Sequence, residues 1–127
     1  MAKISRFQEI EAWKEARLLA RQIFALTSNE KFRKDLALRD QIRRAAVSAM
    51  SNIAEGFGRE STKEFIRFLN IAKGSALEVQ SILYVLLDNE FINEETFESS
   101  FDQTEKTVNL IGGFTRYLRS YQNAQNK

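Results

Sequence analysis

The sequence has no cysteine, no histidine and no proline, and glycine occurs only 5 times in 127 residues. Without cysteine there is no disulfide, no thiolate nucleophile and no thiolate-held metal. Without histidine the commonest general base and the commonest metal ligand are both missing. Ser–His and Cys–His catalysis are therefore excluded, as are the usual zinc and di-iron sites of helical bundles. Gly56-Phe57-Gly58 is too short for a phosphate-cradling loop and lacks a following Lys-Ser/Thr. No catalytic residue, metal, cofactor or small-molecule substrate is expected. Without proline nothing forces a break, which favours long helices over turn-rich β architecture. Long apolar runs are also missing: the longest, Val79 to Leu87, is far short of the ~20 residues needed to cross a bilayer. The opening MAKISRFQEIEAW has no apolar h-region. These absences point to a cytoplasmic protein with no membrane contact.

What is present is charge, unevenly placed. The net charge is only +2. Residues 31–73 nevertheless carry 10 basic and 5 acidic side chains, and residues 74–105 carry 8 acidic and no basic ones. Such segregation either marks a polyanion-binding surface or neutralises itself when the two segments lie side by side.

The apolar spacing predicts four helices in a single domain over residues 1–127. The first runs from about Phe7 to Thr27 on the stripe Trp13, Ala16, Ala20, Ile23, Phe24 and Thr27. Ser28 to Lys34 is polar and reads as a loop. The second runs from about Asp35 to Gly56, with Gly56 and Gly58 ending it through the left-handed conformation that glycine tolerates. The third opens on the capping-box pattern Ser61-Thr62-Lys63-Glu64 and ends near Asp88-Asn89. The fourth is capped by Asn93 and runs through Phe97, Phe101, Thr104, Val108, Ile111, Thr115 and Leu118. Residues 122–127 are expected to fray. No segment sustains period-two alternation, so the predicted fold is all-α, an antiparallel up-down-up-down four-helix bundle.

Three helices carry a second apolar flank that a monomer has no use for. On the fourth helix Leu110, Phe114, Tyr117 and Tyr121 recur at steps of four, three and four. On the third, Ile66, Leu77 and Tyr84 do so, and on the second, Leu36, Val47, Met50 and Ala54. A polar seam runs beside them, with Gln41, Arg44, Ser48, Asn52, Glu55 and Arg59 on the second helix and Lys63, Arg67, Asn70, Gly74, Glu78 and Ser81 on the third. Gly74 costs roughly 1 kcal/mol in mid-helix, a cost that close approach by another helix would justify. The expected oligomer interface therefore comprises Leu110, Phe114, Tyr117, Tyr121, Arg44, Asn52, Glu55, Gly74 and Glu78, with Arg44 and Glu78 as an ion pair within or between subunits.

Two stretches are distinctive: Asp40-Gln41-Ile42-Arg43-Arg44-Ala45-Ala46-Val47-Ser48 followed by Ser51-Asn52-Ile53-Ala54-Glu55-Gly56-Phe57-Gly58-Arg59, and Lys63-Glu64-Phe65-Ile66-Arg67-Phe68-Leu69-Asn70-Ile71-Ala72-Lys73-Gly74-Ser75 with Glu78 beyond it. Together they resemble the bacterial 23S rRNA intervening-sequence protein family, also called the four-helix-bundle protein family. One departure is Ala49-Met50, where the family commonly has Ile-Pro; Met50 permits an unbroken second helix. The resemblance implies an antiparallel bundle assembled as a ring-shaped homopentamer, encoded within or outside intervening sequences of 23S rRNA genes. It implies no catalytic residues. A similar fold occurs in the nucleic-acid-binding accessory protein of diversity-generating retroelements, an analogy of fold alone.

Two kinds of partner are expected: other copies of the chain, and RNA or DNA. Arg33, Lys34, Arg39, Arg43, Lys63, Arg67 and Lys73 lie in the basic span and are the candidate nucleic-acid contacts. The alternative is a protein-interaction ring that binds no nucleic acid.

Overall fold

The computed structural model describes residues 3–125, which contain four α-helices and no strand. Helix α1 spans Glu11–Leu26, α2 spans Leu36–Phe57, α3 spans Thr62–Asp88 and α4 spans Glu94–Gln125. Short 3-10 turns precede α1 at Phe7–Glu9 and α2 at Glu30–Lys34. Each helix packs against two neighbours, in the cyclic order α1, α2, α3, α4 and back to α1. No helix among the described residues is long and apolar enough to cross a membrane.

The caps follow the sequence. Asp35 Oδ1 accepts from the Leu38 N–H at 3.0 Å, Ser61 Oγ from Glu64 at 3.1 Å and Asn93 Oδ1 from Thr96 at 2.8 Å. Each satisfies an orphan donor of a first turn. Met50 leaves α2 unbroken and packs against both main core clusters.

Four local expectations are corrected. The first helix does not begin at Phe7: Ile10 is extended and buried, and the break lets Ile4 and Phe7 pack into the core, with Phe7 edge-on to Trp13 at 5.1 Å. The glycines ending α2 are not left-handed. Gly58 sits at φ −74° and ψ −8°, and no described glycine has positive φ. The third concerns the polar loop. It contains Phe32, which is only 1% exposed and packs on Phe91 at 4.9 Å between ring centres. Residues 122–125, expected to fray, continue α4, and 126 and 127 lie outside the described residues.

Left-handed backbone occurs instead at Glu90, φ 62°, in the turn between α3 and α4. Phe91 N–H bonds the Leu86 carbonyl at 2.9 Å and Glu90 N–H that of Leu87 at 3.1 Å, the paired bonds of a Schellman cap. Lys31 Nζ donates to the Glu90 carbonyl at 3.0 Å and Asn29 Nδ2 to that of Phe91 at 3.3 Å, tying the turn to the α1–α2 connection. A side chain in this conformation costs free energy that glycine avoids. Glu90→Gly is expected to stabilise the fold by about 1 kcal/mol in urea titration.

The core has two large lobes, one around Leu19, Phe32, Ile42, Leu83 and Leu86 and one around Ile10, Ile53, Leu69, Ile111 and Leu118. Between them Ala49, Ala76 and Val108 form a narrow waist. Small residues there let α2 and α3 approach closely. Thr104 and Thr115 are buried on α4 with their hydroxyls donating to the carbonyls of Ser100 at 2.7 Å and Ile111 at 2.8 Å. They therefore serve as apolar positions without an unsatisfied polar atom.

Candidate functional site

Because each helix meets only two others, the surface divides into four faces, each spanning a pair of neighbouring helices. The polar seam forms the α2/α3 face. Ser48 Oγ and Ser75 Oγ are 2.8 Å apart, Asn52 Nδ2 donates to Ser48 Oγ at 3.0 Å, and Gln41 Nε2 donates to Glu78 Oε2 at 3.4 Å. Glu78 is thus held by Gln41, and Arg44 is exposed with no ion pair among the described residues. Arg59 and Arg67 lay their guanidinium groups over Phe68 at 4.7 and 4.6 Å from its ring centre. Arg67 also grips Glu64 at 3.0 Å. That hydrogen bond holds the Glu64 carboxyl below its ordinary value and raises the Arg67 guanidinium. What the pair contributes is present once Glu64 is ionised and is lost as pH falls through the lowered value. Glu64 is engaged there, so only the Ser61 half of the capping box is formed among the described residues.

Gly74 is exposed on α3, and a Cβ built on it meets nothing within 4 Å. Nothing inside the subunit requires glycine at that position. Gly74→Ala is expected to raise subunit stability by about 1 kcal/mol by helix propensity alone.

The seven candidate nucleic-acid contacts are spread over α2, α3 and the connection before α2. Arg33 pairs with Glu30 at 3.7 Å, Arg39 with Asp40 at 2.9 Å and Arg67 with Glu64. Arg43 donates to Thr27 Oγ1 at 2.8 Å and lies over the Phe24 ring at 4.6 Å. Lys34 precedes α2 and Lys63 follows it, so a helix of some 33 Å at 1.5 Å per residue separates them. Lys73 is on α3. For Arg33, Arg39 and Arg67 the neutralisation is local, between residues one to three apart. No carboxylate of residues 74–105 enters an ion pair among the described residues.

The flank on α4 divides. Leu110 and Phe114 are half-buried against the second core lobe, and Phe114 meets Phe65 edge-on at 5.3 Å. Ile4 lies in the same groove, so the segment before α1 covers part of what the spacing offered to another subunit. Tyr117 and Tyr121 stay exposed.

Two cations missed in the sequence are Arg17 and Arg21. They are exposed on α1 without ion pairs among the described residues. Arg17 lies over Trp13 at 5.8 Å, and two helical turns bring its face to Phe24. Their signal was the spacing of 13, 17, 21 and 24. It was obscured because residues 1–30 are close to neutral as a block.

On the α3/α4 face Tyr84, 50% exposed, packs on Phe97 at 5.0 Å and Phe101 at 5.7 Å. Asp88, Glu94, Glu98 and Glu105 follow these rings at helical spacing and are all exposed. The described residues hold no group of three or more His, Cys, Asp or Glu able to bind a metal ion.

Comparison with known proteins adds a family and a fold. The family described as 23S rRNA-intervening sequence protein matches residues 8–113. A crystal structure of a protein of unknown function from the S23 ribosomal protein family of Bacteroides thetaiotaomicron is similar, with a TM-score of 0.75 and 27% identity. The match covers 82% of this chain and 97% of that one. No curated protein matches.

Proposed function

Since this chain belongs to the 23S rRNA-intervening sequence protein family, matched over residues 8–113, we propose that it is a non-catalytic helical scaffold that works as a homo-oligomer. The helices, joined by short connections, run alternately up and down. Copies close into a ring, which the family resemblance makes a pentamer. One observation carries the reading: large apolar side chains are exposed on opposite faces, Phe24 (42%) and Val47 (40%) on α1 and α2, Leu77 (44%) and Tyr84 (50%) on α3. A closed ring of identical copies uses two different patches per copy, one on each side.

Light scattering after size exclusion tests this at micromolar concentration. The expected result is one species of about five chain masses; a monomer mass overturns the proposal. Gly74→Ala sharpens the test, because loss of assembly with gain in subunit stability would place Gly74 at a contact between copies.

RNA contact is a second reading, favoured by the exposed Arg17 and Arg21, which have no ion pair among the described residues and the first of which lies over Trp13, and by the family description. Binding of that kind engages phosphates and weakens steeply with salt, by a log–log slope of about −0.9 per phosphate on a duplex. A gel shift at low salt tests it; no shift at micromolar protein removes it.

A further inference from the structure

The geometry points to a specific docking mode: the α1/α2 face of one copy seats on the α3/α4 face of the next, arginine against carboxylate around a shared aromatic and aliphatic centre. This rests on the self-association proposed above and names the surfaces that make it.

The argument begins with opposition in space. In the cyclic order of helices the α1/α2 and α3/α4 faces lie on opposite sides, so one copy can offer each to a different neighbour. The two faces carry opposite charge. The first presents Arg17 and Arg21, with Arg43 held over Phe24. Asp40 on α2 is taken by Arg39, and Glu15, two residues before Arg17, is taken by Lys106 of α4. The second presents Asp88, Glu94, Glu98 and Glu105, and residues 74–105 contain no Lys or Arg at all. Glu105 accepts only from the neutral Gln80, at 3.3 Å. Neither set is satisfied inside its own subunit.

The centres match as well. Phe24 and Val47 stand among the arginines, and Tyr84 stands on Phe97 and Phe101 among the carboxylates. Guanidinium groups stack on aromatic faces while pairing with carboxylates, and both partners are available here. An apolar centre with a charged rim is the usual anatomy of a protein interface. Opposite faces make the contact heterologous, which closes as a ring where the rotation permits.

Charge reversal tests this on the full chain. One variant carries Arg17→Glu and Arg21→Glu; the other carries Glu98→Arg and Glu105→Arg. All four positions are exposed, and circular dichroism checks that each variant stays helical. Each alone is expected to lose assembly, with the half-assembly concentration rising at least about tenfold, since like charges now meet. Mixing the two restores attraction wherever unlike variants meet, and an odd-membered ring keeps one contact between like variants. Native mass spectrometry should then show mixed assemblies that contain both variants, absent from either variant alone. Should a variant misfold, the unaltered protein still decides: its half-assembly concentration must rise as salt shortens the screening length to about 3 Å near 1 M.

Variants that keep the wild-type mass, dissociated variants that fail to reassemble on mixing, or salt-indifferent assembly each overturn the docking mode and leave self-association standing. A monomeric wild type overturns both. Retained assembly with lost RNA shift in the Arg17→Glu, Arg21→Glu variant overturns the docking mode and gives the arginine face to RNA.

Discussion

Phe32→Ala is expected to cost about 3–5 kcal/mol of unfolding free energy, the range for truncating a buried phenylalanine. The ring is 1% exposed and belongs to the core lobe of Leu19, Ile42 and Leu86. It also packs on Phe91 from the α3–α4 turn, so two connections meet on one side chain. A cavity there cannot close without moving both, and Asn29 and Lys31 are bonded to the carbonyls of that turn. Urea titration followed by circular dichroism measures the loss. A change below about 1 kcal/mol would mean that the turn collapses onto the gap, contrary to the packing described.

Gly56→Ala is the second large effect, and its sign runs against helix propensity. A Cβ at Gly56 would stand 2.7 Å from Phe68 Cβ, 2.9 Å from Phe65 Cδ1 and 3.3 Å from the Phe65 carbonyl oxygen. Phe68 Cβ and the carbonyl are fixed by the α3 backbone, so relief requires the C-terminal end of α2 to move away from α3. Overpacking of this kind typically costs 1–3 kcal/mol, against about 1 kcal/mol gained from replacing glycine in a helix. The expected net result is a loss of about 1–2 kcal/mol by the same titration, opposite to the gain expected for Gly74→Ala. Stabilisation by Gly56→Ala would refute the close approach.

These two residues show what was legible in the sequence. Periodicity located all four helices, because amphipathic stripes of 16 to 32 residues are long against a 3.6-residue repeat. Caps at Ser61 and Asn93 were legible because side-chain capping is a local event. Phe32 was hidden because a single aromatic among Glu30, Lys31, Arg33 and Lys34 has no period to betray it. Gly56 was attributed to backbone conformation, when its cause is a phenylalanine twelve residues later on another helix. The fate of Leu110 and Phe114 depended on where Ile4 folds back, a tertiary choice with no signal in local spacing. How the cations of the basic span are paired was not legible, because counting charge by segment ignores the carboxylate one turn away. That error also concealed Arg17 and Arg21, whose face becomes visible only once α1 is set beside α2.

The separation of charge between faces has a last consequence, for how the molecule senses its surroundings. No side chain here has an ordinary pKa between about 5 and 8, since histidine is absent. Histidine protonation, the ordinary route by which acidification over that interval changes a protein's charge, is closed to this chain. Dissolved ions are a different matter, for the opposed fields are exposed and reach outward over about 8 Å at cellular salt. Of these two signals, ionic strength is the one that exposed, opposed charges register.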